Sequence, residues 1–298
     1  MKSHRFEHQA MATVFEIWIN SEDQAYAKQA ALEAKRLIDE IESELSFYRE
    51  ESDISRINAL QLGETIFIGE HTRRSLLLSL ELCQETQGAF DPNVGHSMKV
   101  IKDEKGNASH WSEWFTLKKR SAVESKGLLI FDESKRSVEL GSELPVAFDL
   151  GAIGKGYALD RLALLLKEWE LSRFLLSGGG SSLLAGASPE GEVGWQVALG
   201  KKEYEISERS LGASGIQLKG AHIIDPRSGL PTARFRAWAF AKSAARSDAL
   251  STAAMLLPLN WFQDRIDSSS EELFCIQETE QSEPLFFGAF PNEKSFVE

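Results

Sequence analysis

The chain has 298 residues, of which 42% are hydrophobic and 26% charged, and its formal net charge at pH 7 is −12. This composition is typical of a globular protein with a sizeable core. The acidic balance argues against a broad surface for nucleic acid or anionic membranes, because both attract basic patches. A small anionic ligand could still bind where a lysine or a helix N-terminus faces it.

The first 20 residues carry scattered charges and no continuous apolar segment, so they do not resemble a signal peptide. No run of about 18 apolar residues occurs in the sequence, and no transmembrane helix is predicted. We therefore expect a cytoplasmic protein. Cys83 and Cys275 both stand in apolar patterns. They are predicted to be small core residues and not a disulfide.

Apolar periodicity predicts the secondary structure in chain order. Strands are predicted at 12–19, 128–132 and 136–140, and helices at 22–45, 72–87 and 247–257. A leucine-rich helix is predicted from about residue 156, and the segments after it are mostly strands separated by Gly and Pro. We expect one α+β domain over residues 1–298, with a mostly antiparallel sheet and packed helices.

The stretch FDLGAIGKGYALD, residues 148–160, holds three glycines in front of that helix. Glycine lets another molecule approach the backbone closely. Free N–H groups at the helix start, together with Lys155, would suit a phosphate or pyrophosphate. The alternative is an ordinary connection from the strand LPVAFDL to the helix, with Asp149 as a cap and Lys155 solvated.

The stretch SDALSTAAMLL places an acid and two hydroxyls on one side of a predicted helix. Asp248 and Thr252 are four residues apart and Ser251 lies between them, so all three share a face. Carboxylate and hydroxyl oxygens are hard ligands that suit Mg²⁺. In the alternative interpretation, Asp248 stands near the first helical position and complements the helix dipole, while the hydroxyls fill space.

Three further motifs have both a functional and a structural interpretation. In GAHIIDPRSGLP, His222 is a candidate general base, or a histidine with a structural hydrogen bond. In GAFDPNVG, Asp91 begins a rigid turn that presents backbone groups to a ligand, or a plain surface turn. The glycines of LLSGGGSS permit close approach or mark a bulge.

The order of these motifs along the chain is more specific than any one of them. From about residue 8 to 260 the sequence resembles the ApbE family of FAD:protein FMN transferases. The motifs that carry the resemblance are MAT at 11, SFYREESDISRIN at 46, GAFDPNVG at 88, DLGAIGKGYALD at 149, GGGSS at 178, HIIDPRSGLP at 222 and SDALSTAAMLL at 247.

The resemblance implies a Mg²⁺-dependent enzyme that splits FAD, transfers FMN to a threonine or serine hydroxyl of an acceptor protein and releases AMP. The acidic composition predicts no nucleic-acid partner, and the lack of a long apolar run predicts no membrane insertion. By resemblance, the metal is bound by the Ala152 carbonyl and by Asp248 and Thr252, with Ser251 as a further hydroxyl, and His222 assists transfer. The resemblance also assigns the FAD contacts to Met11, Tyr48, Ala89, Phe90, Asp91, Asp149, Lys155 and Ile224.

Three motifs depart from the usual pattern of the family. Ala12 replaces the glycine of MGT, Ser181 replaces the acid of GGD, and Ala213 replaces the threonine of TSG. Two alternatives therefore stay open beside transfer. One is a pyrophosphatase that converts FAD to FMN and AMP, and the other is a non-catalytic FAD-binding protein.

Overall fold

The computed structural model describes residues 2–95, 127–132, 134–143, 146–199, 202–216, 223–268 and 272–289. The chain divides into two compact units. Unit 1 comprises Met1–Glu40, Lys155–Gly215 and Arg234–Glu298, and unit 2 comprises Ile41–Gly154 and Ile216–Ala233. A single domain over 1–298 stays a prediction. None of the helices in the described ranges is long and apolar enough to span a membrane.

The described residues form six helices and thirteen strands. The helices are α1 Gln24–Leu45, α2 Asp53–Asn58, α3 Glu70–Glu85, α4 Gly154–Glu168, α5 Ala244–Ala254 and α6 Leu259–Ser268. The strands are β1 Lys2–Ala10, β2 Thr13–Ser21, β3 Thr65–Phe67, β4 Leu129–Asp132, β5 Ser137–Leu140, β6 Phe174–Gly178, β7 Ser182–Ala185, β8 Trp195–Leu199, β9 Lys202–Ile206, β10 Arg209–Gly215, β11 Arg236–Ala241, β12 Leu273–Gln277 and β13 Leu285–Phe287.

Unit 1 is built on an eight-stranded sheet in the order β1-β2-β6-β7-β10-β11-β12-β13. Every neighbouring pair in this sheet is antiparallel. Because side chains alternate between the two faces of a strand, β10 can face two layers at once. Its Leu211 packs with the β8–β9 hairpin, whereas Gly212 lies against α5 on the opposite face.

Unit 2 contains α2, α3 and a small antiparallel sheet in the order β3-β5-β4. The sequence predicts a strand in LPVAFDL, and this prediction is wrong for the described residues 146–150. These residues are extended but do not pair with another strand. Their peptide groups bond instead to side chains and to a turn. The Asn58 amide donates to the Phe148 carbonyl oxygen at 2.9 Å and accepts from the Phe148 N–H at 2.7 Å.

Most of the predicted elements are confirmed, with shifts at their ends. The helix predicted at 247–257 begins earlier, at Ala244, so Asp248 is its fifth residue and not its first. The interpretation of Asp248 as a residue of the first helical position is therefore wrong. Strand β1 was not predicted, because most of its side chains are polar and only Ala10 is fully buried. Both cysteines are buried, as predicted.

Candidate functional site

The N-terminus of α5 is fixed by two caps. Ser243 is the N-cap and accepts from the Arg246 N–H. The Asp160 carboxylate of α4 accepts from the Ser243 hydroxyl at 2.7 Å and from the N–H groups of Ala244 and Ala245 at 2.7 and 2.9 Å. Burial raises the pKa of Asp160, and these three hydrogen bonds act against the rise. The positive, N-terminal end of the α5 dipole is thus already compensated by the Asp160 carboxylate.

A glycine allows α5 to lie directly on the sheet. A Cβ at Gly212 of β10 would lie 2.7 Å from the Asp248 nitrogen and would overlap the Ser247 carbonyl group. A side chain at this position would push the helix away from the strand. The second turn of α5, which carries Asp248, therefore lies over the paired strands β7 and β10.

The Asp248 carboxyl group is 5% exposed, and only one of its two oxygens accepts hydrogen bonds from the described residues. Its Oδ2 accepts from the Gly156 N–H at 2.9 Å and from the Ser182 hydroxyl at 2.7 Å, and the Lys155 Nζ lies 4.0 Å away. Its Oδ1 accepts no hydrogen bond from the residues that the structure describes. Burial raises the pKa of this carboxyl to about 6, against the lowering effects of Lys155, Ser182 and Gly156.

A cluster of three hydroxyls lies beside the backbone carbonyl group of Asp248. Ser251 and Thr252 are on the same side of α5 as Asp248, as predicted, and the Ser251 hydroxyl donates to the Asp248 carbonyl oxygen at 2.9 Å. The Ser214 Oγ of β10 lies 2.9 Å from the Ser251 Oγ and 3.1 Å from the Thr252 Oγ1. Ser182 and Ser214 were not predicted as site residues.

The chemistry of this donor set fits a hard divalent cation. It contains a carboxylate oxygen without a hydrogen bond in the described residues and a threonine hydroxyl, and it has no sulfur or imidazole ligand. Mg²⁺ prefers oxygen ligands of this kind and usually keeps several waters. A cation beside Asp248 would also compensate the burial of its negative charge.

The turn that carries Asp149 and Ala152 lies in unit 2. The Asp149 Oδ1 accepts from the Gly151 N–H at 2.8 Å, two residues along the chain, so it closes the turn and does not cap α4. The Asp149 N–H donates to the Pro92 carbonyl oxygen at 2.8 Å. Pro92 directly follows the predicted AFD segment, residues 89–91. In this segment Ala89 and Phe90 are buried, and the Asp91 carboxylate accepts from the Asn93 N–H.

The remaining predicted residues have varied surroundings. Met11 is in the β1–β2 turn with a φ of 50°, and Tyr48 is 67% exposed beside Phe47. Ile224 pairs with Pro231 in an isolated bridge. His222 lies outside the described residues. The structure therefore brings together Lys155, Asp248, Ser251 and Thr252 in unit 1, and the AFD segment and Asp149 in unit 2.

Comparisons with known proteins agree with one another. A family model described as the ApbE family matches residues 11–276. FAD:protein FMN transferase from Klebsiella pneumoniae is 26% identical, over 74% of this chain and 68% of that protein. The protein of the same name from Haemophilus influenzae is 25% identical, over 76% of this chain and 71% of that protein.

Solved structures show the same fold. The apo flavinyl transferase ApbE of Pseudomonas stutzeri matches with a TM-score of 0.79 and 22% identity, over 96% of this chain and 94% of that one. The flavin transferase ApbE of Vibrio cholerae matches with a TM-score of 0.80 and 20% identity, over 96% and 97%. The predicted α+β fold, with a mostly antiparallel sheet and packed helices, is confirmed. The chain belongs to the ApbE family.

Proposed function

We propose that this chain is a Mg²⁺-dependent FAD:protein FMN transferase that modifies a threonine or serine hydroxyl and releases AMP. Membership of the ApbE family supports a transferase, since the curated relatives carry this name. One observation supports the chemistry more than any other. The Lys155 ammonium group lies 4.0 Å from the buried Asp248 carboxylate, and two hydroxyls of the same helix contact the backbone carbonyl oxygen of Asp248.

The reaction exchanges one phosphorus–oxygen bond for another. The acceptor hydroxyl oxygen forms a bond to the phosphorus of the FMN half of FAD, and the phosphoanhydride bond to the AMP half breaks. AMP leaves with the bridging oxygen, and the hydroxyl proton passes to a base. Negative charge builds on the phosphate oxygens along this path, so fixed positive charge beside them lowers the barrier.

Different residues of the site are proposed to bind the metal, to supply positive charge and to accept the proton. Asp248 and Thr252, with the Ala152 carbonyl and Ser251, would hold Mg²⁺, which supplies charge neutralisation at the pyrophosphate when bound. Lys155 adds a second positive charge, and its Nζ is held 4.0 Å from the Asp248 Oδ2. His222 is the proposed base for the acceptor hydroxyl, because the ordinary pKa of imidazole lies near neutrality.

The FAD contacts are proposed from the motifs that carry the family resemblance, and a single functional domain over residues 1–298 is part of the same proposal. In unit 2, the Asp149 N–H donates to the carbonyl oxygen of Pro92, the residue that follows the proposed contact Asp91. The proposed FAD contacts are Met11, Tyr48, Ala89, Phe90, Asp91, Asp149, Lys155 and Ile224. The cytoplasmic location and the absence of a nucleic-acid partner stay predictions.

The test is a transfer assay with a defined acceptor. The protein is incubated with FAD and Mg²⁺, with a threonine peptide or with the same peptide carrying alanine in its place. AMP release is followed by chromatography and peptide mass by mass spectrometry. We expect AMP together with a gain of FMN less one water on the threonine peptide alone. Chelation of the metal, or Asp248→Asn, should abolish both products.

Other outcomes separate the alternatives. AMP and free FMN without a modified peptide, for a panel of threonine and serine peptides and for candidate acceptor proteins, would identify a pyrophosphatase. Bound FAD without any AMP would identify a flavin-binding protein. Transfer that persists at full rate after chelation, or in the Asp248→Asn variant, would contradict the metal site.

A further inference from the structure

We infer that Ser182 and Ser214 are positioning residues that orient two of the proposed side-chain metal ligands, Asp248 and Thr252. Neither serine is itself assigned to the metal. They stand on the paired strands β7 and β10, directly beneath α5, and Ser182 is opposite Gly212 in the register. This inference deepens the proposed function and rests on it, because it concerns how the proposed Mg²⁺ site is prepared.

Ser182 determines which oxygen of Asp248 is free. The Asp248 Oδ2 already accepts two hydrogen bonds, from the Ser182 hydroxyl and the Gly156 N–H. Both donors come from other elements of the fold, so they fix the rotation of the carboxylate plane. The Oδ1 atom is then the one available to a cation. Ser182 is 1% exposed, and water therefore has little access to replace its hydroxyl.

Ser214 determines the direction in which the Thr252 hydroxyl points its hydrogen. This conclusion follows from a count of the hydroxyl protons. Three hydroxyls supply three protons for four short oxygen–oxygen contacts: Ser214 to Ser251 at 2.9 Å, Ser214 to Thr252 at 3.1 Å, and the Asp248 carbonyl oxygen to Ser251 at 2.9 Å and to Thr252 at 3.3 Å. One contact must therefore lack a proton, since each hydroxyl donates only once.

The three shortest contacts are satisfied together by one proton order. Ser251 donates to the Asp248 carbonyl oxygen, Ser214 donates to Ser251, and Thr252 donates to Ser214. The longest contact, at 3.3 Å, is the one left without a proton. In this order the Thr252 hydroxyl points its hydrogen at Ser214 and keeps its lone pairs for a cation. Without Ser214, that hydrogen turns to the carbonyl oxygen.

The experiment measures Mg²⁺ affinity directly, by isothermal titration calorimetry of Mg²⁺ into the whole metal-free protein. The variants are Ser182→Ala and Ser214→Ala, with Ser182→Thr and Ser214→Thr to restore a hydroxyl. Loss of a residue that orients a metal ligand typically weakens binding 10–100-fold. We expect each alanine variant to bind Mg²⁺ roughly tenfold more weakly and each threonine variant to recover most of the affinity.

The matched control is Ser210→Ala. Ser210 stands on β10 on the same face as Ser214 and is fully buried, but its hydroxyl bonds to the carbonyl oxygens of Ala241 and Ser243. The Ser210→Ala substitution should lower the unfolding temperature. It should leave the Mg²⁺ affinity within about twofold of the unaltered protein, as expected for a site away from the ligands. The Mg²⁺ concentration that half-activates AMP release from FAD gives a second readout.

The outcomes separate this inference from the proposed function. If the unaltered protein binds Mg²⁺ and both alanine variants bind it equally well, the positioning role is overturned and the metal site stands. If Ser210→Ala weakens binding as much as the other two, the effect is general destabilisation and the inference is overturned. If the unaltered protein neither binds Mg²⁺ nor needs it for AMP release, the proposed metal site fails and the inference fails with it.

Discussion

Gly156 of α4 and Ala244 of α5 are in direct backbone contact. A Cβ on Gly156 would overlap the Ala244 carbonyl and lie 2.6 Å from the Ala245 nitrogen. Only glycine lets the two helix starts come so close. The same contact brings the Gly156 N–H to the Asp248 carboxylate, so one glycine serves both the packing and the proposed metal site.

Gly156→Ala should therefore destabilise the protein. The added methyl meets backbone atoms, which cannot rotate away, and overpacking of this kind costs about 1–3 kcal/mol of unfolding free energy. Urea denaturation measures this. Gly154→Ala is the control, because a Cβ at Gly154 would meet no heavy atom of the described residues within 4 Å. An equal loss in both variants would show that glycine flexibility, and not close contact, is what matters.

Asn58→Ala should destabilise unit 2 strongly. The Asn58 amide pairs with both the N–H and the carbonyl of Phe148, and Phe148 is fully buried. Each buried group left without a partner costs about 1–3 kcal/mol, so for these two groups we expect a loss of about 2–6 kcal/mol. The neighbouring Asp149 should shift, and the KM for FAD should rise.

The control for Asn58 is Asn260→Ala, at an exposed position of α6. Chemical denaturation should show a change within about 0.5 kcal/mol for this variant, as is usual at the surface. A small effect of Asn58→Ala, similar to that of the control, would contradict the role of its amide as a substitute for strand pairing.

Ala12→Gly should stabilise the protein. Met11 and Ala12 form a two-residue hairpin turn with φ of 50° and 55°, the left-handed conformation that the tight β1–β2 connection requires. This conformation costs a non-glycine residue about 1–2 kcal/mol, and the extra freedom of an unfolded glycine costs about 0.5–1 kcal/mol. The net gain should be about 0.5–1 kcal/mol in urea denaturation.

Ala10→Gly is the control for Ala12→Gly, because it makes the same substitution next to the turn. Ala10 is the last residue of β1 and is buried, so glycine there should lower stability. If both glycine variants lost stability, the strain at Ala12 would be disproved.

Stabilisation by Mg²⁺ should depend on pH through Asp248. The pKa of this carboxyl is raised to about 6 in the metal-free fold, so the folded state favours the protonated form. Its contribution to stability is therefore largest below the unfolded pKa of about 4 and falls as pH rises through 6. Mg²⁺ needs the carboxylate, so it must compete with the proton below that pH.

The measurement is the unfolding temperature with and without Mg²⁺ between pH 5 and 8. We expect the increase caused by Mg²⁺ to be small at pH 5 and complete near pH 7.5. The Asp248→Asn variant should show no such increase at any pH. A Mg²⁺ effect that is constant across the range would show that this carboxyl does not bind the ion.

The sequence by itself determined those features of the protein that depend on residues close together in the chain. Apolar periodicity is set within a few residues, so it predicted α1, α3 and the strand that carries Phe15, Ile17 and Ile19. Spacing of three and four residues on a helix was enough to place Asp248, Ser251 and Thr252 on one side of α5. The order of short motifs along the chain was enough to indicate the family.

The tertiary structure alone decided what surrounds those residues. Ser182 and Asp248 are 66 positions apart, and no local pattern indicates that a strand hydroxyl will bond to a helix carboxylate. The extended segment before Asp149 has a strand-like sequence, yet side-chain amides and a turn replace its strand partner. Periodicity reports only which side of an element is buried, whereas hydrogen bonds and close backbone contacts depend on which elements the fold packs together.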